Sequence, residues 1–354
     1  MKMTFRWYGE GNDQITLDQI KQIPGVEGIV WSLHDMPAGV LWDEQRIAEV
    51  EQQIKKSGFN IDVVESVNVH EDIKLGLESR DQYIENYKQT LRALGRFGVK
   101  VVCYNFMPVF DWTRTELYKS LPDGSNALFF EKSKISEIDP IELIETISKN
   151  TDVTMPGWEP ERLANLKETF KLYQDFTAED LWKNLQYFLE QIIPVAEECG
   201  IKMAIHPDDP AFPIFGLPRI IINKENIQRF LGLVDNPYNG LTLCSGSLGS
   251  VNNDIPDLID TFHERIHFMH IRNVKRFDNG DFIESSHRAC DGSIDIVQVV
   301  KMLYKHNYQG YVRPDHGRHI WGEEKWARPG YGLYDRALGI MYINGLWDAL
   351  NHET

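Results

Sequence analysis

The 354-residue chain has only four cysteines, at positions 103, 199, 244 and 290, and no two of them are closely spaced. No disulfide framework is implied, and the pattern fits reduced thiols of an intracellular protein, each usable as a small hydrophobe or a ligand. Long apolar runs are missing as well. No window approaches the roughly 18 uninterrupted apolar residues of a membrane span, and the opening MKMTFRWYGEGNDQ has no apolar h-region or small-residue cleavage site. No membrane partner is expected, and the cytoplasm is the expected location. Positive charge is scarce: 37 Lys and Arg stand against 53 Asp and Glu, a formal net charge of −16. That balance disfavours nucleic acid as a partner, since such affinity is carried by basic clusters. A small anionic substrate held by a few local arginines remains compatible with it.

What the chain does have is an ample core, with 42% hydrophobic residues, and a regular alternation. Short β-branched runs, TFRWY (4–8), GIVWSL (28–33), IDVVES (61–66), VVCYNF (101–106), KMAIHP (202–207), LTLCSG (241–246), IHFMHI (266–271) and GYVRPD (310–315), read as strands. Amphipathic segments at 43–58, 81–98 and 180–200 lie between them, and the last two stop at Gly98 and Gly200, as helix C-termini should. Eight βα units in succession predict an α/β fold, a (β/α)8 TIM barrel forming a single domain over 1–354. A doubly wound open sheet is the alternative. The excess length falls at 107–177, between the fourth strand and its helix, where PERLANLKETFKLYQDF (160–176) has a helical pattern. This predicts a helical insertion after strand 4, serving as a lid, an assembly element or a solvated decoration. Asp111, Trp112 and Arg114 leave the strand end on the face where barrels do chemistry. A homo-oligomer, a dimer or larger, is expected of a symmetric enzyme of this class.

The later strands end on ligand-type residues: His206 in AIHPDDP, Cys244 in TLCSGSLG, His270 in FMHIRNVK and Asp315 in VRPDHG. Singly, each has an ordinary reading: a hydrogen-bonded core histidine, a small buried hydrophobe, a turn cap. In a barrel the C-terminal ends of consecutive strands converge on one rim, so the four side chains would meet despite separations of 38, 26 and 45 residues. Together they favour a divalent metal site. Two imidazoles, a thiolate and a carboxylate suit zinc by softness, whereas a site with positions open to substrate oxygens suits Fe²⁺ or Mn²⁺.

The combination HPDDP, LCSGSLG, HIRNVK, RPDHG and GYGLYDRALGIMYINGLWDAL, with MTFRWYG and VWSLHDMPAG, resembles the mannonate dehydratase family of the hexuronate pathway, over nearly the whole chain. The resemblance implies a metal-dependent barrel of the xylose-isomerase-like group that dehydrates D-mannonate to 2-keto-3-deoxy-D-gluconate with Mn²⁺ or Fe²⁺. Motif by motif, the family's metal ligands fall on His206, Cys244, His270 and Asp315, and its acid/base histidine on His316. Its catalytic tyrosine falls on Tyr331 or Tyr334, with Tyr331 the choice.

The chemistry of such a reaction makes sense of YVRPDHGRHIWG (311–322). Dehydrating a sugar acid removes a weakly acidic proton beside a carboxylate and expels hydroxide next to it, which calls for a cation, a base and an acid. His316, flanked by Pro314 and Gly317, should lie past the strand end over the site, where an imidazole titrating near neutrality is a fitting proton carrier. A surface histidine beside a turn glycine is the plainer reading. Arg272, Lys275 and Arg318 are candidates for holding the substrate carboxylate, with Arg favoured by its two-pronged geometry. His287, Asp208 and Asp209 are candidates for sugar hydroxyls or for orienting a ligand. A sugar isomerase or epimerase on the same barrel, and a sugar-acid-binding regulator with a structural metal, are the competing functions.

Overall fold

Alternate residues of each strand pack on opposite sides of one cylinder. Val30, Val63, Val101, Cys103, Ala204 and Phe268 form a cluster in its interior, while their neighbours Ile29, Val64, Val102, Met203, Ile205 and Met269 join the large core beneath the helices. This period-2 burial on both faces is what a parallel barrel demands of its strands. In the computed structural model, residues 1–135 and 166–352 are described. The barrel strands are β1 (Lys2–Arg6), β2 (Gly28–Trp31), β3 (Asn60–Glu65) and β4 (Val101–Tyr104), followed after an excursion by β7 (Lys202–Ile205), β8 (Asn239–Cys244), β9 (Ile266–Ile271) and β12 (Tyr311–Pro314). They close in the order β1-β12-β9-β8-β7-β4-β3-β2, every pair parallel. Closure removes the open-sheet alternative. No helix among the described residues is long and apolar enough to cross a membrane.

The helices stop and start where their sequences say. The helix Glu44–Lys56 begins at Asp43, whose side chain accepts from the Gln45 N–H, and Ala178–Glu198 begins with a Thr177/Asp180 capping box. Gly98 and Gly200 follow their helices with φ of +86° and +66°, a left-handed conformation that glycine adopts without strain.

The insertion differs from expectation. Its helical pattern is realised in Lys132–Ile135 and Leu166–Leu172, and residues 136–165 lie outside the described part. Before them comes a hairpin, β5 (Glu116–Ser120) and β6 (Asn126–Phe130), turning through Pro122-Asp123-Gly124. The turn signal was present in the sequence, and β-branched residues were too few to mark the flanking strands. β6 pairs with β11 (Phe282–Glu284), which pairs with β10 (Val274–Arg276), so the insertion and the loop after β9 make one four-stranded antiparallel sheet. Stacked Phe130 and Phe282 rings, 5.1 Å apart, hold the seam. Leu128 of β6 joins Tyr8, Trp112, Leu117 and Tyr331 in a second apolar cluster, which roofs the C-terminal mouth of the barrel.

Candidate active site and metal centre

The strand parity that fills the barrel also builds its mouth. Ala204 and Phe268 point inward, and so do residues two further on, His206 and His270; Cys244 and Asp315 share that parity on β8 and after β12. One donor atom from each of His206, Cys244, His270 and Asp315 lies within 4.8 Å of all the others. His206 Nδ1 donates to the Pro207 carbonyl at 2.7 Å, since a carbonyl can only accept, and its Nε2 is left with a lone pair. Cys244 Sγ sits 3.4 Å from Asp315 Oδ2 and accepts from Ser247 Oγ at 3.2 Å. His270 Nε2 is buried without a hydrogen bond. A thiol and a carboxylate this close would repel once both are ionised, and a cation among the four donors removes that repulsion. The residues therefore fit a metal ion.

A second trio, Glu65, Cys103 and His270, also clusters. It shares His270 with the first cluster, and its other two donors are engaged elsewhere. Glu65 is gripped by Arg313 through Nη2 at 2.7 Å and Nε at 2.9 Å, and Cys103 accepts from Thr242 Oγ1 at 3.2 Å. Burial pushes the Cys103 thiol well above its usual range, and the negative charge of Glu65 adds to this.

Around the donors lies a network of buried charge. Arg272 donates to Asp315 Oδ2 at 3.1 Å and Asp209 Oδ2 at 2.9 Å, and its Nε lies 3.5 Å from Glu284. Its side chain crosses Gly246, where any Cβ would collide with Nε, so the first glycine of LCSGSLG is a packing requirement. Arg313 donates to Asp315 Oδ1 at 2.7 Å, and Arg114 links Asp209 at 2.7 Å to Glu284 at 2.7 Å. Burial alone would raise the carboxyls of Asp315, Asp209 and Glu284; these arginines outweigh it and hold all three below their usual range.

His316 projects into the same cavity. Its Nδ1 lies 3.1 Å from Arg272 Nη1 and 3.4 Å from Glu284 Oε1, and its Nε2 lies 2.9 Å from the Tyr331 hydroxyl. Trp112 meets the ring edge-on, with centroids 5.0 Å apart. Burial, reinforced by Tyr8 and Asp315, lifts the Tyr331 phenol well above its usual range, so it is a neutral donor at pH 7. Tyr334 packs instead against Trp321 and Trp326.

The family model of D-mannonate dehydratase (UxuA) matches residues 1–354. The chain belongs to the D-mannonate dehydratase family. Mannonate dehydratase 1 of Halalkalibacterium halodurans is 63% identical over 353 residues, spanning 99% of this chain and 97% of that protein. Mannonate dehydratase of Endomicrobium trichonymphae is 65% identical over 351 residues, spanning 99% and 96%. The crystal structure of mannonate dehydratase from Streptococcus suis serotype 2 aligns with a TM-score of 0.89 at 48% identity, covering 99% of this chain and 94% of that one.

Of the residues expected at the site, the structure brings His206, Asp209, Arg272, Asp315, His316 and Tyr331 to one cavity. Others it does not. Lys275 is exposed on β10, because the strand continues into the outer sheet. Arg318 pairs with Asp335 at 2.9 Å and Asp123 at 3.0 Å. Asp208 accepts from the backbone N–H groups of Ile220 and Ile221 at 2.6 and 2.7 Å, anchoring a loop. Arg114 stands behind Asp209, and His287 is buried against Gly339 of the C-terminal helix. The cavity also takes Arg6, Tyr8, Glu65, Asn105 and Arg313, which sequence reasoning did not single out as site residues. Their signal was the same parity: each shares the inward face with the barrel's interior residues at the end of β1, β3, β4 or β12.

Proposed function

We propose that this chain dehydrates D-mannonate to 2-keto-3-deoxy-D-gluconate and water in the cytoplasm, with Mn²⁺ or Fe²⁺ held by His206, Cys244, His270 and Asp315. The observation that carries the reading is the His316–Tyr331 pair, 2.9 Å apart, on a cavity that His206 and Asp315 of the four-donor cluster also line. The mixed nitrogen, sulfur and oxygen donors suit these metals where positions must stay open to substrate oxygens. When bound, the cation supplies Lewis-acid stabilisation of negative charge developing on the substrate carboxylate and its neighbouring hydroxyl.

The chain's own groups carry the protons. One removes the proton at C2, and the electron pair of that C–H bond becomes the C2–C3 double bond as the C3–O bond breaks. The departing hydroxide takes a proton and leaves as water, and the enol then tautomerises to the 2-keto acid. His316 and Tyr331 are assigned these transfers. Arg272 donates towards His316 Nδ1, and Glu284 can accept from it, so both the neutral and the protonated imidazole have a partner. Leu128, Trp112 and Tyr8 close the mouth against water, which supports a lid role for the insertion. The exposed apolar residues Trp321, Leu338 and Met341 support the expectation of a homo-oligomer.

The test is to incubate metal-stripped protein with D-mannonate, with and without Mn²⁺, and assay for a 2-keto-3-deoxy acid. Metal-dependent product is the expected outcome; no keto acid under either condition overturns the proposal.

A further inference from the structure

Three arginines line the cavity, Arg6, Arg272 and Arg313. Two of them are bound to acids: Arg272 to Asp209 and Asp315, Arg313 to Glu65 and Asp315. Arg6 differs. It is 2% exposed, forms no ion pair among the described residues, and its Nη1 has no hydrogen-bond partner. The guanidinium lies over the Tyr8 ring, 4.8 Å from its centroid. Glu65 feels its charge, but both oxygens of that carboxylate are held by Arg313 at 2.7 and 2.9 Å. A guanidinium does not shed its proton when buried, so Arg6 keeps a full positive charge in a place where an unpaired charge is costly.

The substrate brings one formal negative charge to this cavity. We propose that Arg6 receives the carboxylate of the sugar acid through its N–H fork, and so selects an aldonate over an uncharged sugar or polyol of the same length. The proposal rests on the D-mannonate reading and adds to it the residue that recognises the acid group. Arg272, expected from sequence to take this part, is tied into the carboxylates that support the donor cluster. Arg6 is the lining arginine with no ion pair among the described residues, and its Nη1 is open to a ligand. Its place on β1, beside β12, puts it on the rim next to Asp315 and across the barrel from His206 just past β7.

The experiment compares wild type with Arg6→Gln and Arg6→Lys, using titration calorimetry with D-mannonate and with the neutral hexitol D-mannitol, alongside steady-state kinetics. Charge-assisted hydrogen bonds of this kind predict roughly a 10- to 100-fold loss of D-mannonate affinity in Arg6→Gln. KM should rise by a similar factor with a smaller change in kcat, while D-mannitol binding and metal content stay as in wild type. Arg6→Lys should fall between the two, keeping the charge without the fork. Unchanged D-mannonate affinity in Arg6→Gln, or an equal loss for both ligands, overturns the assignment. Should Arg6→Gln not fold, Arg6→Lys decides: wild-type affinity for D-mannonate there rejects the two-pronged contact. Wild type that fails to turn over D-mannonate contradicts the proposed function; an active wild type with an indifferent Arg6→Gln contradicts only this inference.

Discussion

Replacing Tyr331 by Phe removes a single oxygen atom from the site, and its consequences separate chemistry from packing. The ring keeps its edge contacts, 4.7 Å from the His316 centroid and 5.2 Å from that of Tyr8, so the apolar roof of the cavity stays in place. What is lost is the hydroxyl 2.9 Å from His316 Nε2. Leaving that buried nitrogen unpartnered costs about 1–3 kcal/mol, which a domain stable by roughly 5–15 kcal/mol tolerates. The rate should respond far more strongly. Loss of a positioned proton carrier typically lowers turnover by about 10²–10⁴, equivalent to roughly 3–5.5 kcal/mol on the barrier. Because burial keeps the phenol neutral at pH 7, the variant loses a donor and no charge. The assay is keto-acid formation under saturating D-mannonate with bound metal quantified in the same samples, and Tyr334→Phe as the control. Tyr334 packs on Trp321 and Trp326, away from His316, and its variant should turn over near the wild-type rate. Turnover by Tyr331→Phe within a few-fold of wild type, or an equal loss in Tyr334→Phe, refutes the assignment.

His316→Asn should retain metal and bind D-mannonate while turnover drops about 10²–10⁴; loss of metal in this variant would make His316 a ligand instead. Asp315→Asn and Cys244→Ser should lose metal and activity together, because each removes an anionic donor, and stoichiometric metal in both would break the proposed donor set. His267 and His319 are buried and desolvated, which lowers both imidazoles to about 4. They are neutral in the fold, whereas in the unfolded chain they take up protons below about pH 6.5. Their stabilisation is therefore complete above about pH 6.5 and declines towards pH 4, at about 1.4 kcal/mol per pH unit for each group. Urea unfolding at several pH values should show stability falling over that range, and His267→Gln should reduce the slope by about 1.4 kcal/mol per pH unit, the share of one imidazole; an unchanged slope contradicts the linkage.

Much of this protein could be read along the chain because barrel strands and their helices are local patterns. Two-sided burial of short β-branched runs and 3.6-residue periodicity ending at Gly98 and Gly200 are written in contiguous residues, and the structure places all eight strands where those runs lie. The ligand-type residues were legible for the same reason: each stands at a strand end, and closure of the barrel brings strand ends together whatever the loops do. The hairpin at 116–130 does not stand out in the sequence, since β6 is stabilised by pairing with β11, more than a hundred residues away, and β5 by pairing with β6, and neither by its own composition. Partnership among charges was beyond the sequence altogether. Arg272, Arg313, Arg318 and Lys275 look alike as letters, yet tertiary packing ties the first two into buried carboxylates, turns Arg318 to Asp335 and leaves Lys275 exposed. Likewise it put the Tyr331 hydroxyl, and not that of Tyr334, beside His316, and left Arg6 buried with no ion pair among the described residues. Residue type and strand parity determine which groups can reach the mouth of the barrel. Which charges neutralise one another there, and which remains for a ligand, depends on distances between segments far apart in sequence, and only the folded chain sets those.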